Sequence, residues 1–306
     1  MNPMRAYLDN NVFSMIAAVK IPAEDVAILR RKIAAGEVVA PLSLAGIEEL
    51  LGDIDTDRAG AVARLRSASS LVGGFHGMLK QPRDLLTDAI RAYAEGTRLP
   101  PASLPESERR LVAGYLSEVR SGSRTRDSAL LDILHAVRKQ KEECRIAMPE
   151  ARRMTLARLD WAALSAKERR TASFEFFWDR AATTWADWFA EGAGADLAAG
   201  CRARGLDGLL KVRAVRLAVL AVLGLVFGQE VLGRMAKPSD GYDMWHAVLA
   251  STAEVFVTFD DRLAEHLSRM PIDSFRIIDS LGALTTSDRA EPKNQYRSQQ
   301  STPNTV

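Results

Sequence analysis

The sequence predicts an α/β protein whose central parallel sheet is divided by a large all-α insertion. Short apolar runs typical of strands occur only near the two ends of the chain, at residues 5–8, 37–41, 254–259 and 274–278. Helical patterns lie next to each of these runs, and strands that alternate with helices favour a parallel sheet covered on both faces. The long middle of the chain contains helical patterns and almost no strand pattern.

The predicted helices of the middle segment define the domain organisation. They cover residues 56–72, 106–120, 128–143, 166–191 and 206–235, with breaks at the prolines near position 100 and at residues 192–200. We therefore expect a discontinuous α/β domain at 1–52 and 236–284 and a helical insertion at 53–235. Residues 285–306 are polar without apolar periodicity, which predicts a disordered tail.

Composition excludes several classes of protein. The chain has 306 residues, 47% of them hydrophobic, and a net charge of +2, which neither requires nor excludes a nucleic-acid partner. Its two cysteines, Cys144 and Cys201, form no CxxC pair, so a zinc ribbon is not expected. Two isolated thiols are typical of proteins of the reducing cytoplasm, and a cytoplasmic location is therefore expected. The most apolar stretch, residues 217–227, is shorter than a membrane span and predicts a buried helix, so no membrane association is expected.

Acidic residues follow two of the predicted strands. Asp9 comes directly after the first strand, and Asp260 directly after the third. Because ligands of open α/β sheets bind beyond the carboxyl ends of the strands, these two acids can be neighbours in space. Each could also simply cap the helix that follows it.

Further acids lie on helices that can reach the same edge. Glu48 and Glu49 follow the second strand, behind Ser43 as a possible N-cap, and Asp240 and Asp243 share one helix face before the third strand. Several carboxylates gathered at one place repel each other unless a cation lies among them. Hard oxygen ligands suit Mg²⁺ or Mn²⁺, which can stabilise charge on a phosphoryl group.

Four short motifs, taken in order, resemble the PIN-domain family of metal-dependent ribonucleases. Residues 7–12 (YLDNNV) are similar to its opening, and residues 43–50 (SLAGIEEL) to its second motif, where the spacing from Ser43 favours Glu49 over Glu48. Residues 243–247 (DMWHA) and 255–260 (VFVTFD) resemble the segments that carry its third and fourth acids. The resemblance covers about a third of the chain. It implies a three-layer α/β/α PIN-like fold, here with a much longer insertion than in small PIN toxins.

The resemblance also implies a function. Asp9, Glu49, Asp243 and Asp260 would bind Mg²⁺ or Mn²⁺ and hydrolyse RNA phosphodiester bonds, leaving a 5′-phosphate. Asn11 and Thr258 would orient these acids. Many members are toxins, so an antitoxin-like protein and a second copy of the chain are implied as partners.

Other interpretations of these residues stay open. Glu48 is expected to be a solvated helix residue, Asp240 a turn or N-cap residue, and Asp261 an exposed residue at a helix start. His246, three residues after Asp243, could bind metal or RNA, but packing on a helix face is favoured. A catalytically degenerate PIN-like module would keep the same acids and bind RNA or a protein. A haloacid-dehalogenase-type phosphatase is disfavoured because its second acid would fall at Asn11.

Two residue groups in the insertion have competing interpretations. The aromatic residues between Phe174 and Phe189 are spaced as on one helix face, which favours a core seam over base stacking. Basic pairs, including Arg152 and Arg153, could contact a phosphate backbone. These basic pairs indicate nucleic-acid binding only if they lie close to the acidic site; otherwise they are solvated surface residues.

Overall fold

The computed structural model describes residues 2–72, 74–75, 77–121, 128–235, 237, 240–272 and 275–285. Its strands are β1 Met4–Leu8, β2 Val38–Val39, β3 Leu42–Ser43, β4 Met78–Leu79, β5 Val255–Val257 and β6 Arg276–Ile278. Its helices before the long middle helix are α1 Asn10–Ala17, α2 Ala23–Ala34, α3 Leu44–Leu50, α4 Arg58–Leu71, α5 Pro82–Glu95 and α6 Glu106–Ser121. The remaining helices are α7 Ser128–Arg158, α8 Ala166–Thr171, α9 Phe174–Ala193, α10 Ala195–Arg204, α11 Leu206–Leu209, α12 Arg213–Glu230, α13 Asp240–Ala250, α14 Asp261–Ser268 and α15 Leu281–Thr285.

The main sheet has four parallel strands in the order β2-β1-β5-β6. The two halves of the sheet come from opposite ends of the chain, and Leu8 pairs with Val257 where β1 and β5 end. The predicted parallel sheet is therefore confirmed, and the segments after β1 and β5 leave the same edge side by side.

Both faces of this sheet are covered. Ala6 and Leu8 of β1 pack into one apolar cluster, whereas Tyr7 between them packs into the other. This alternation follows from the two-residue period of a strand. A strand buried on both sides is typical of a parallel sheet with helices on each face.

The predicted strand at 37–41 is wrong in extent. Two short strands lie on either side of Pro41, which has no backbone N–H to donate to a sheet. Only Val38–Val39 joins the main sheet, and Leu42–Ser43 pairs with Met78–Leu79 in a separate two-stranded sheet. The strand Met78–Leu79 was not predicted, because two residues are too few to show the alternation of apolar and polar side chains that indicates a strand.

Several helix predictions also need correction. The helices α2, α5 and α10 were not predicted, and α10 occupies most of the expected break at 192–200. In that segment Gly194, at φ +143, ends α9 and begins α10. The predicted helix at 166–191 divides before Ser173, whose side chain caps α9. The helix predicted at 206–235 divides into α11 and α12, and that at 128–143 continues to Arg158 through Pro149.

The insertion helices share a core with the sheet. The apolar stretch at 217–227 lies in α12 and is buried, as predicted. Most of the aromatic run forms the predicted core seam, in which Phe177 and Trp185 are buried, but Trp188 is 43% exposed. The same apolar cluster contains Tyr7 of β1 and Phe256 of β5. Within the described ranges, no helix is both long and apolar enough to cross a bilayer. The division into domains stays a prediction, and the tail at 286–306 lies outside the described residues.

Candidate metal centre at the strand ends

Asp9 and Asp260 are linked through one threonine. The backbone N–H of Asp9 donates to the carbonyl of Val257 over 3.0 Å, which fixes Asp9 beside the end of β5. The Thr258 hydroxyl donates to Asp9 Oδ2 over 2.7 Å and accepts the backbone N–H of Asp260 over 3.0 Å. The two segments that are 251 positions apart in sequence thus meet at one edge of the sheet.

Asn11 strengthens this junction. Its Nδ2 donates to Thr258 Oγ1 over 3.3 Å, and its Oδ1 accepts the backbone N–H of Phe259 over 3.3 Å. The hydroxyl of Thr258, which is buried, therefore donates once and accepts twice, so its orientation is fixed. Asn11 and Thr258 thus hold the two strand ends together, and Thr258 also fixes the position of Asp9 Oδ2.

The same two aspartates also cap helices. Asp9 Oδ1 accepts the N–H of Asn10 at the start of α1, and Asp260 Oδ1 accepts the N–H groups of Arg262 and Leu263 at the start of α14. Asparagine and aspartate are favoured at this position because their short side chains reach the unpaired helix N–H groups. Asp9 and Asp260 therefore cap their helices and are also linked to each other through Thr258.

Glu49 reaches the cluster from α3. Ser43 caps this helix through the N–H of Gly46, as predicted. A Cβ at position 46 would lie 2.9 Å from Asn10 Oδ1, so glycine leaves the room that Asn10 needs. From there Asn10 Nδ2 donates to Glu49 Oε2.

His246 of α13 bridges two of the acids. Its Nε2 lies 3.0 Å from Glu49 Oε2, and its Nδ1 lies 3.4 Å from Asp9 Oδ1 and 3.0 Å from the Tyr7 hydroxyl. The imidazole is 5% exposed, so the favoured interpretation of a packed histidine describes its burial but misses its polar contacts. Burial alone would lower its pKa, but the charge of Asp9 and the hydrogen bond to Glu49 outweigh it and raise the pKa to about 9. At neutral pH the ring is therefore a cation within the cluster.

Asp243 lies one helical turn before His246, and the pKa of its carboxyl group is strongly raised. Burial, followed by the charge of Asp260, raises its pKa to about 8; Asp240 and Asp9 contribute less to the rise, and His246 opposes it. The pKa of Asp9 is raised as well, first by burial. Carboxylates at one place, partly removed from water, cannot all ionise at low cost.

Two further acids lie at the margin of this cluster. Glu48 accepts a hydrogen bond from Gln81 over 2.9 Å and is partly buried, so the expectation of a solvated residue is wrong. Asp240 is 2% exposed and accepts the backbone N–H of Lys237, so it closes a turn as expected, and it also pairs with Arg262 over 3.4 Å. Asp261 is exposed at the start of α14, as predicted.

Sequence reasoning named Asn11 and Thr258 but missed two other uncharged partners of the cluster, Tyr7 and Asn10. Tyr7 lies two residues before Asp9, and Asn10 directly follows it. Tyr7 contacts His246 and Ser43, and Asn10 donates to Glu49. A tyrosine in an otherwise apolar strand and an asparagine in the first turn of a helix were the available signals. Burial and the charge of Asp9 raise the pKa of Tyr7 well above its ordinary value, so it stays a neutral hydrogen-bonding group.

The donor chemistry of the cluster fits a hard divalent ion. Within the described part of the chain, no hydrogen bond or ion pair engages Asp260 Oδ2 or either side-chain oxygen of Asp243. Asp9 and Glu49, in contrast, are turned towards His246. Accordingly, no group of three or more His, Cys, Asp or Glu side chains among the described residues already has a geometry that could hold a metal ion.

Comparison of the chain with protein-family models, characterised proteins and solved structures gives no match. The candidate site therefore has to be interpreted from its own chemistry. Position 11, where a haloacid-dehalogenase-type phosphatase would carry its second acid, holds an amide that binds Thr258. No contact of the described residues favours that phosphatase.

Proposed function

We propose that this chain is a divalent-cation-dependent endoribonuclease of PIN-domain type. The observation that carries the proposal is the link of Asp9 to Asp260 through Thr258 beyond the carboxyl ends of β1 and β5, with Asp243 near enough for the charges of both to raise its pKa. That edge is where open α/β sheets bind their ligands. Carboxylates brought together there at an electrostatic cost are typical of a site that a cation stabilises.

Asp9, Asp243 and Asp260 would hold Mg²⁺ or Mn²⁺, with Glu49 as the fourth ligand. The ion would supply Lewis-acid stabilisation of a phosphodiester and of the attacking water. The side chains around it have separate tasks. Thr258 keeps Asp9 Oδ2 in place, and His246 holds Glu49 and Asp9 when no other cation neutralises them. A cationic His246 released from Glu49 would be free to bind a phosphate oxygen.

A cleavage assay tests this proposal. An end-labelled single-stranded RNA is incubated with the protein in Mn²⁺ and, separately, in EDTA. We expect cleavage only with Mn²⁺, and we expect Asp9→Asn to reduce the rate by at least about 100-fold, more than the loss of an outer partner of a metal ligand. Asp261→Asn is the matched control, because it removes an exposed carboxylate next to the cluster. Cleavage that continues in EDTA, or equal rates for Asp9→Asn and the control, would exclude the proposed mechanism.

A second function has a specific observation in its favour. Because Glu49 and Asp9 are already bound by His246 and Asn10, the cluster could be a degenerate site in which the histidine cation replaces the metal. The chain would then bind RNA or a protein without turnover. Calorimetric titration with Mn²⁺ separates the two functions, since a degenerate site gives no binding heat that Asp9→Asn removes. An antitoxin-like partner, a second copy of the chain and a cytoplasmic location stay predictions.

A further inference from the structure

A pocket lies next to the acidic cluster, on the side of the helical insertion. It has a volume of about 460 Å³ and is bounded by residues of α7, by Gln229 at the end of α12 and by the turn before α13. Asp240 belongs both to its wall and to the charged neighbours of Asp243, so the pocket and the acidic cluster are adjacent. Pockets that bind small ligands or parts of larger ones have this size.

Three cations line this pocket. Arg145 and Arg152 project from α7, and Lys237 from the opposite wall. Arg145 pairs with Glu142 over 2.5 Å and Arg152 pairs with Glu230, whereas Lys237 makes no ion pair with any residue that the structure describes. At least one positive charge is therefore left to attract an anion. The exposed pair of Arg145 with Glu142 is weak enough to exchange its partner for a phosphate. Arg152 binds the largely buried Glu230 through Nε, and its other guanidinium N–H groups can donate to a phosphate.

The charge on the remaining wall does not cancel this attraction. Asp240 is the acid of the pocket wall, and its Oδ2 is engaged by Arg262 and by the backbone N–H of Lys237. The pocket also has apolar surface from Met148 and Pro149. Cations together with apolar surface suit a nucleotide, which presents a phosphate and a base, better than a small inorganic anion.

We propose that Arg145, Arg152 and Lys237 form a subsite for a nucleotide of single-stranded RNA next to the phosphodiester at the acidic cluster. This inference rests on the proposed function, because it identifies how the substrate of that site would be held. It also gives the insertion a task, since α7 would supply two of the phosphate-binding residues to a centre made by the two ends of the chain. Of the basic pair Arg152 and Arg153, only Arg152 lines the pocket and belongs to the proposed subsite.

RNA binding without catalysis tests the subsite. Fluorescence anisotropy with a labelled single-stranded RNA is measured in EDTA, over a range of about 50 to 200 mM KCl. We expect the double variant Arg152→Gln/Lys237→Gln to bind about tenfold more weakly. Its salt dependence, as the slope of log K against log salt, should fall by about 1.4, since each lost phosphate contact with a single strand contributes about 0.7.

Arg153→Gln provides the matched control. Arg153 is the next residue of the same helix, pairs with Glu150 over 2.5 Å and does not line the pocket. We expect it to change the affinity less than about twofold. Arg152 is about half exposed and Lys237 is exposed, so both variants should fold, which circular dichroism would verify. Equal affinities for the double variant and the control would overturn the subsite.

Two further results separate the possible explanations. Full displacement of RNA by an equal concentration of inorganic phosphate would overturn a nucleotide subsite, because only a general anion site predicts it. A wild-type protein that binds RNA through Arg152 and Lys237 but never cleaves it would refute the nuclease and leave the subsite standing. A protein that cleaves RNA with an affinity independent of these residues would refute the subsite alone.

Discussion

Replacing Asp243 by asparagine should stabilise the metal-free protein. A carboxyl pKa that rises from 3.8 to about 8 corresponds to roughly 5–6 kcal/mol, because a tenfold change in an acid constant is about 1.4 kcal/mol. This value is an upper limit, since water and neighbouring side chains rearrange around an ionised group. We expect Asp243→Asn to raise the free energy of unfolding by about 1–3 kcal/mol near pH 7.5 in EDTA.

The pH dependence of this gain has a definite sign. The unfolded chain releases the Asp243 proton near pH 3.8 and the folded chain near pH 8, so the folded state binds more protons between these values. The stability of the wild type therefore falls as the pH rises through this window, and the gain of Asp243→Asn grows in parallel. His246, raised from 6.5 to about 9, stabilises the folded state below pH 6.5 and loses this contribution as the pH rises through about 9. In Asp243→Asn this second loss should begin at a lower pH, because the charge of Asp243 contributes to the raised pKa of His246.

Chemical denaturation in EDTA and in Mn²⁺ measures both effects. Mn²⁺ at a concentration about 100 times its dissociation constant should stabilise the wild type by about 2.7 kcal/mol and leave Asp243→Asn nearly unchanged. Asp261→Asn, at an exposed position, should behave like the wild type in both conditions. A less stable Asp243→Asn in EDTA, or equal stabilisation of all three proteins by Mn²⁺, would refute the reasoning that the acids are mutually repulsive and await a cation.

Two other perturbations test the framework around the site. Gly224→Ala should destabilise the protein by about 1–3 kcal/mol, because the new Cβ would lie 2.7 Å from the Cβ of the buried His266. Gly228→Ala, whose nearest contact is at 3.5 Å, should be tolerated, and equal urea midpoints for the two variants would contradict the packing described for α12. Thr258→Val should lower Mn²⁺-dependent cleavage by about 10- to 100-fold by releasing Asp9 Oδ2. Thr258→Ser keeps the hydroxyl and should retain most activity, so matching losses in both variants would argue against the hydrogen bond as the cause.

The strand ends in the two terminal segments could be predicted from the local sequence. Asp9 and Asp260 could be found because each follows an apolar strand and begins a helix, and both features are contained in a few neighbouring residues. Ser43 as an N-cap and α12 as a buried helix were readable for the same reason. The strands β3 and β4 could not be found, because they are stabilised by each other and not by a pattern within either.

The partners of the acids could not be predicted in this way. His246 was expected to be a packed residue, yet it lies between Asp9 and Glu49, which are 237 and 197 positions away. The pocket beside Asp240 joins α7 to the turn before α13, and no periodicity in either segment indicates that meeting.

The sequence by itself determined that this protein has a parallel sheet built from its two ends, with acids at the ends of two strands. Strand and helix periods and capping residues act over a few positions, so they can be read along the chain. Only the tertiary structure decided that His246 bridges Asp9 and Glu49, that Glu48 instead binds Gln81, and that Arg152 lines a pocket with Asp240. Such contacts depend on the packing of distant elements, which fixes distances and burial and therefore the charges that the site can hold.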